Sequence, residues 1–285
     1  MSIELQTPIA VFGGPYSNLP ATQAMKDVCD HFQIPASSVI CTGDVVAYCG
    51  SPEQTTNYIR NWNCHVVMGN CEESLGSALD DCGCGFDAGS VCAALSVGWY
   101  QHANSCISDT NRQWMRSLPG ELRFNVEGFE FLVVHGSADN ISEFVFESSN
   151  PSAKQQQLEA AGVDCIIGGH SGLPFGQRLT SGYWLNSGVI GMPANDGQPS
   201  TWYMLIEQQF GQLQATWHRL CYDYKQAQTD MKNAGLGSEY CLALGSGIWP
   251  SNGILPNAEQ SLSGLDRSVA RLYLDSQKIR PQKIA

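Results

Sequence analysis

The chain has 285 residues, 43 % of them apolar and 15 % charged, a composition that excludes a disordered chain and suits one large domain or two ordinary ones. Its longest apolar runs, such as Phe131-Leu-Val-Val134, are far too short to cross a bilayer, so no membrane partner is expected. Fifteen Lys and Arg against 27 Asp and Glu give a formal charge of −12, which argues against nucleic acid as a partner but admits a small anion wherever a bound cation overrides the average field.

Met1-Ser-Ile-Glu-Leu-Gln places an acid where a secretory leader carries bases, and no apolar run precedes the first strand, so a cytoplasmic location is expected. Strands are predicted at 9–12, 39–41 and 65–68, with helices at 21–32 and 52–61 between them. The first 70 residues thus form a β-α-β-α-β series, the pattern of a sheet with helices packed on it. From 71 to 119 the sequence predicts helices at about 91–104 and 111–118, read as an insertion over one end of the sheet. Strands follow at 129–134, 165–167, 183–185 and 201–206, and the turns Glu127-Gly128 and Thr180-Ser-Gly182 suggest hairpins and a second, more antiparallel sheet. The expected fold is a mixed two-sheet α/β domain. Beyond Pro256 the tail turns polar, and the spacing of Leu265, Val269 and Leu272 predicts a helix over 262–275.

The chain has 12 cysteines, and Cys64, Cys71, Cys82, Cys84, Cys92 and Cys106 cluster in one stretch. In a reducing compartment this favours free thiols, metal ligation or redox chemistry over disulfides, with inert burial the alternative for each taken singly. Cys82-Gly-Cys84, with Cys92 and His102, could make a structural zinc site or give soft ligands to an active centre. Cys49 follows Asp44 by five residues and could approach Cys71, or simply fill the core.

Four short motifs sit where apolar runs end, the rim at which open α/β sheets collect ligand-binding groups. They are Thr42-Gly43-Asp44, Gly69-Asn70-Cys71-Glu72, His135-Gly136-Ser137 and Gly168-Gly169-His170-Ser171. A carboxylate, an amide oxygen and two imidazoles would suit a first-row divalent ion such as zinc, iron or manganese.

In the order and spacing of these motifs the chain resembles the calcineurin-like metallophosphoesterase superfamily, up to about Pro256. That family carries the blocks D-x-H, G-D-x-x, G-N-H/C-D/E, V-H-G and G-H-x-H. Gly43-Asp44, Gly69-Asn70-Cys71-Glu72, Val134-His135-Gly136 and Gly169-His170 resemble the last four, and Asn186-Ser187-Gly188 resembles a downstream turn. The resemblance implies a four-layer fold with two mixed β-sheets packed as a sandwich and flanked by helices. It also implies a domain over 1–256 with a cysteine-rich helical insertion at about 73–119, and a helical tail over 257–285.

Three positions depart from the pattern. Gly14 stands where the first-block aspartate belongs, Tyr16 where its histidine belongs, and Gly172 where the last histidine belongs. In the family all three serve one metal of a pair held about 3.5–4 Å apart. The resemblance implies that Asp44, Asn70, His135 and His170 keep the other, a single divalent ion, with Asp44 and Cys71 as catalytic candidates. Backbone amides of the loop Gly13-Gly14-Pro15-Tyr16-Ser17-Asn18 could then form an anion nest in place of the second ion, making Gly14, Tyr16, Ser17 and Asn18 candidate substrate-binding residues. The expected activity is hydrolysis of a small phosphorylated compound. A noncatalytic ligand-binding protein on the same fold and non-hydrolytic metal or thiol chemistry are the alternatives.

Overall fold

The computed structural model describes residues 2–87 and 89–275. Among them, one six-stranded sheet runs in the order β1 (Ile3–Glu4), β5 (Glu121–Val126), β6 (Phe129–Val134), β7 (Cys165–Gly168), β9 (Tyr183–Asn186) and β8 (Phe175–Arg178). The other runs β12 (Leu272–Leu274), β11 (Gln212–Leu220), β10 (Thr201–Gln209), β2 (Ile9–Phe12), β3 (Val39–Cys41) and β4 (His65–Val66). Both are mixed. β2, β3 and β4 are parallel, as are β6, β7 and β9, whereas β5–β6, β8–β9 and β10–β11 pair antiparallel.

Burial on both faces explains the unbroken apolar runs. Ile9 and Val11 of β2 point between the sheets, where they join Phe131, Val133, Ile167 and Leu185 in one core. Their neighbours Ala10 and Phe12 point outward into a second core with α1 (Leu19–His31) and α2 (Pro52–Trp62). On the far face, Leu132, Ile166 and Trp184 pack with Leu158 of α6 (Pro151–Ala161). The result is four layers, helices on sheet on sheet on helix.

Local chemistry sets the helix boundaries. Asn18 caps α1, its Oδ1 accepting the Ala21 N–H at 3.2 Å. α2 opens on Pro52 and closes on the left-handed Asn63, and α6 opens on Pro151 after the Asn150 cap and closes on left-handed Gly162. Three helices follow the strand–helix series: α3 (Asn70–Gly76), α4 (Val91–Cys106) and α5 (Asp109–Ser117). Late in the chain come α7 (Tyr224–Asn233), α8 (Ser238–Ser246) and the short α9 (Asn257–Gln260).

The helix expected over 262–275 is not formed. Within that stretch the ordered element is β12, which pairs antiparallel with β11 and buries Leu274 between the sheets. Leu265 stays 57 % exposed, so the helical spacing never became a buried stripe, and the open edge of β11 supplied ladder hydrogen bonds instead. The remainder of the expected tail lies outside the described residues. Among the described residues no helix is long and apolar enough to cross a membrane.

Candidate metal centre

The carboxyl ends of β2, β3, β4, β6 and β7 meet at one rim, and each is followed by a loop that carries part of the site. After β3, Asp44 adopts a left-handed backbone (φ 56°), a conformation aspartate tolerates better than most residues. Its Oδ1 accepts the Cys71 N–H at 3.2 Å at the start of α3, which turns Oδ2 toward His135 Nε2 at 3.3 Å.

Glu72 holds this loop in place. Its fully buried carboxylate accepts the N–H groups of Asp44 at 2.7 Å, Val45 at 2.8 Å and Gly69 at 3.0 Å. Burial first, then the charge of Asp44, pushes Glu72 up to about 7, against the pull of those donors. Glu72→Gln would turn an amide N–H₂ toward backbone donors. We expect it to cost about 2–3 kcal/mol in denaturant unfolding and to loosen Asp44.

His135 follows β6. Its Nδ1 lies 2.6 Å from the carbonyl of Thr42, which can only accept, so Nδ1 carries the proton. Nε2 then faces three further atoms with lone pairs: Asn70 Oδ1 at 3.0 Å, His170 Nδ1 at 3.1 Å and Asp44 Oδ2 at 3.3 Å. Asn70 is oriented because its Nδ2 donates to the carbonyl of Cys82 at 2.9 Å, leaving Oδ1 toward the histidines. The lone pairs of these four atoms repel one another unless a proton on one of the two imidazole nitrogens, His135 Nε2 or His170 Nδ1, or a cation sits among them.

The spacing fits a cation. Ligands bonded at about 2.0–2.1 Å around one ion lie about 3.0–3.4 Å apart. Asp44, His135 and His170 offer atoms all within 4.8 Å of one another, and all three side chains are buried. Burial, followed by the charge of His135, holds His170 down at about 3, so it stays neutral and able to ligate. For His135, burial opposes protonation but Asp44 outweighs it and raises the pKa above its ordinary 6.5. The Phe144 ring packs against His170, centroids 4.2 Å apart.

The space beside Gly14 is taken by neighbouring side chains. A methyl built on Gly14 would stand 2.5 Å from Tyr16 Cζ and 2.8 Å from Val189 Cγ1. The ring of Tyr16 therefore occupies the space that a side chain at 14 would enter. A methyl on Gly172 would make ordinary contacts with Val189 and Trp249 at 3.7–3.8 Å.

The loop after β2 forms no anion nest, which corrects the expectation for Gly14, Ser17 and Asn18. Gly13 N–H donates to Gly188, Gly14 to Gly43, Tyr16 to Asp44, Ser17 to Val45 and Asn18 to Pro15, all to backbone carbonyls at 2.9–3.1 Å. Ser17 Oγ accepts the Ala47 N–H, and Asn18 Nδ2 donates to Gly191. Tyr16 alone of these candidates lines the cleft at the centre, beside Asp44 and His170. Cys71 is 1 % exposed, with its sulfur 3.5 Å from Asn70 Nδ2, and is not part of the cleft wall. A proton donor to a leaving group has to reach the cleft, so the structure does not support that role for Cys71.

The other cysteine expectations also change. Cys82 and Cys84 are joined in a disulfide, so they form no zinc site with Cys92 and His102. His102 Nε2 lies 3.3 Å from the Gly50 carbonyl. Cys49 is buried in the helix-side core, 3.8 Å from the carbonyl of Gly191. Burial pushes both Cys49 and Cys71 up, which leaves them thiols and not thiolates.

Sequence reasoning missed Glu72, although an acid at the third position of a helix that reaches back to the preceding N–H is a readable capping signal. It also missed the aromatic cleft wall, which is assembled from distant segments.

A model of the calcineurin-like phosphoesterase superfamily domain matches residues 20–209. An uncharacterized protein of Methanocaldococcus jannaschii is 25 % identical over 241 residues, which cover 78 % of this chain and 91 % of that protein. Among solved structures, a hypothetical protein from Pyrococcus horikoshii superposes with a TM-score of 0.70 at 17 % identity, covering 85 % of this chain and 99 % of that one. A metallophosphoesterase from Sphaerobacter thermophilus gives 0.64 at 21 % identity, covering 87 % and 100 %.

Proposed function

Because the chain belongs to the calcineurin-like phosphoesterase superfamily, we propose that it is a metal-dependent phosphoesterase built on a mononuclear centre. The observation that carries this is the gathering of Asn70 Oδ1, His170 Nδ1 and Asp44 Oδ2 within 3.0–3.3 Å of His135 Nε2, with Gly14, Tyr16 and Gly172 at the positions of the other ligands in the resembled pattern. A zinc, iron or manganese ion bound there supplies Lewis acidity toward a phosphoryl oxygen and toward the attacking water. The protein's own part is to orient: Thr42 fixes the His135 tautomer, Cys82 fixes the Asn70 amide, and Glu72 fixes the Asp44 loop. Tyr16, whose phenol burial and Asp44 keep protonated, offers a hydrogen-bond donor in the cleft wall beside Asp44 and His170.

The test is to load the chain separately with each of the three ions, count ions per chain and assay aryl phosphates. One ion with turnover is expected, and a loaded chain that stays inert with each ion overturns the hydrolase reading. One observation favours a second reading, a noncatalytic ligand-binding protein: among the described residues no Lys or Arg lines the cleft, and the loop amides are engaged elsewhere. Anion binding without turnover supports that reading.

Acid should release the ion. Below the raised pKa of His135 a proton competes for Nε2, so apparent affinity falls about tenfold per pH unit. Glu72, at about 7, adds to the fall with the same sign, whereas His170, held at about 3, adds nothing until far lower pH. Metal titrations between pH 5 and 8 read this slope, and an affinity independent of pH contradicts it.

A further inference from the structure

From the lining of the cleft beside the metal centre, we infer that it selects a singly charged phosphoester carrying an aromatic group, in preference to a dianionic monoester or a small polar ester. The inference rests on the reading of the centre as a phosphoryl-binding site. Its first support is charge. Among the described residues lining the cleft, Asp44 is the sole carboxylate and there is no Lys or Arg. A divalent ion with Asp44 leaves at most one net positive charge, which the Glu72 carboxylate held by backbone N–H groups behind the loop can only lower. One negative charge on the phosphoryl group is balanced by that, while a second would enter a mostly apolar cleft with no Lys or Arg to pair with.

The second support is the wall. Tyr16 and Tyr48 meet edge to face at 4.8 Å, and Tyr48 packs on Tyr240 at 4.6 Å. Phe86 stacks on Phe144 at 6.3 Å, and Phe144 lies against the His170 imidazole. The aromatic surface therefore begins at a metal ligand, so a ring one bond from a phosphoryl oxygen meets it directly. Trp249 is fixed in the same wall by its Nε1–H, which donates to Pro193 at 2.6 Å. Apolar walls with few polar groups mark a pocket for an apolar ligand, and aromatic rings favour an aromatic one.

The test is calorimetric binding of three probes to the zinc-loaded chain at pH 8. Diphenyl phosphate and dimethyl phosphate are monoanions there, and phenyl phosphate, with a second pKa of about 6, is a dianion. Diphenyl phosphate is expected to bind about tenfold or more tighter than either of the others. Phe86→Ala is expected to bring the diphenyl-to-dimethyl ratio toward one, with zinc content measured in parallel to separate loss of the wall from loss of the ion. Equal affinities for diphenyl and dimethyl phosphate, or tighter phenyl phosphate, overturn the inference. Because the probes report binding, that failure is distinguishable from an absence of turnover, which bears on the hydrolase reading instead.

Discussion

His135→Ala is expected to weaken metal binding by more than about 100-fold. His135 Nε2 is the atom common to all the close approaches at the centre, lying 3.0 Å from Asn70, 3.1 Å from His170 and 3.3 Å from Asp44. Without it the ion keeps three protein ligands at most and loses the imidazole around which the others are gathered. Even partners that only orient a ligand are worth about 10–100-fold in affinity or activity, so loss of a ligand exceeds about 100-fold in both. At a concentration about 1,000 times its dissociation constant, an ion adds about 4 kcal/mol to stability, and the variant forfeits that gain. Thermal unfolding with and without zinc measures it. The wild type shifts upward by roughly 10 °C and the variant does not shift. A variant that still gains stability from zinc places the ion elsewhere.

Gly14→Ala is the second large effect, and its size depends on Tyr16. The added methyl meets Tyr16 Cζ at 2.5 Å and Val189 Cγ1 at 2.8 Å, on a backbone at φ 34° that disfavours a side chain. Overpacking and backbone strain together cost about 2–4 kcal/mol. Tyr16→Ala alone also destabilises, by about 3–5 kcal/mol, through the void it leaves. In the double variant the methyl occupies part of that void, so the combined loss falls short of the sum by about 1–3 kcal/mol. Denaturant midpoints of the four proteins close the cycle. Strict additivity would mean that positions 14 and 16 do not share a space.

Much of this fold is legible in the sequence because its strands are buried on both faces. Val39-Ile-Cys41 and Cys165-Ile-Ile167 announce themselves as apolar runs with no need for a partner to be known. The ligands are legible for a related reason: each follows such a run directly, and a parallel sheet gathers those ends at one rim. Gly14, Tyr16 and Gly172 could be read together because they stand at positions whose residues serve one ion in the resembled pattern.

What was not legible depends on contacts across the chain. Glycines in the loop after β2 suggested free amides, yet their hydrogen-bond acceptors come from Gly43, Asp44, Val45 and Gly188, which local sequence does not bring near. Tyr48, Phe86, Phe144 and Trp249 are each unremarkable alone, and become a wall when four segments converge. Leu272-Tyr-Leu274 fits a helix or a strand equally, and the free edge of β11 decided between them.

A single cation held by four side chains from separate loops is the proposed centre, and an anomalous-scattering map of crystals grown with zinc, recorded at the metal edge, locates it. The account predicts one peak at about 2.0–2.2 Å from Asp44 Oδ2, Asn70 Oδ1, His135 Nε2 and His170 Nδ1. A second peak about 3.5–4 Å away, beside Tyr16 and Gly172, or a lone peak bonded to cysteine sulfur, would contradict it.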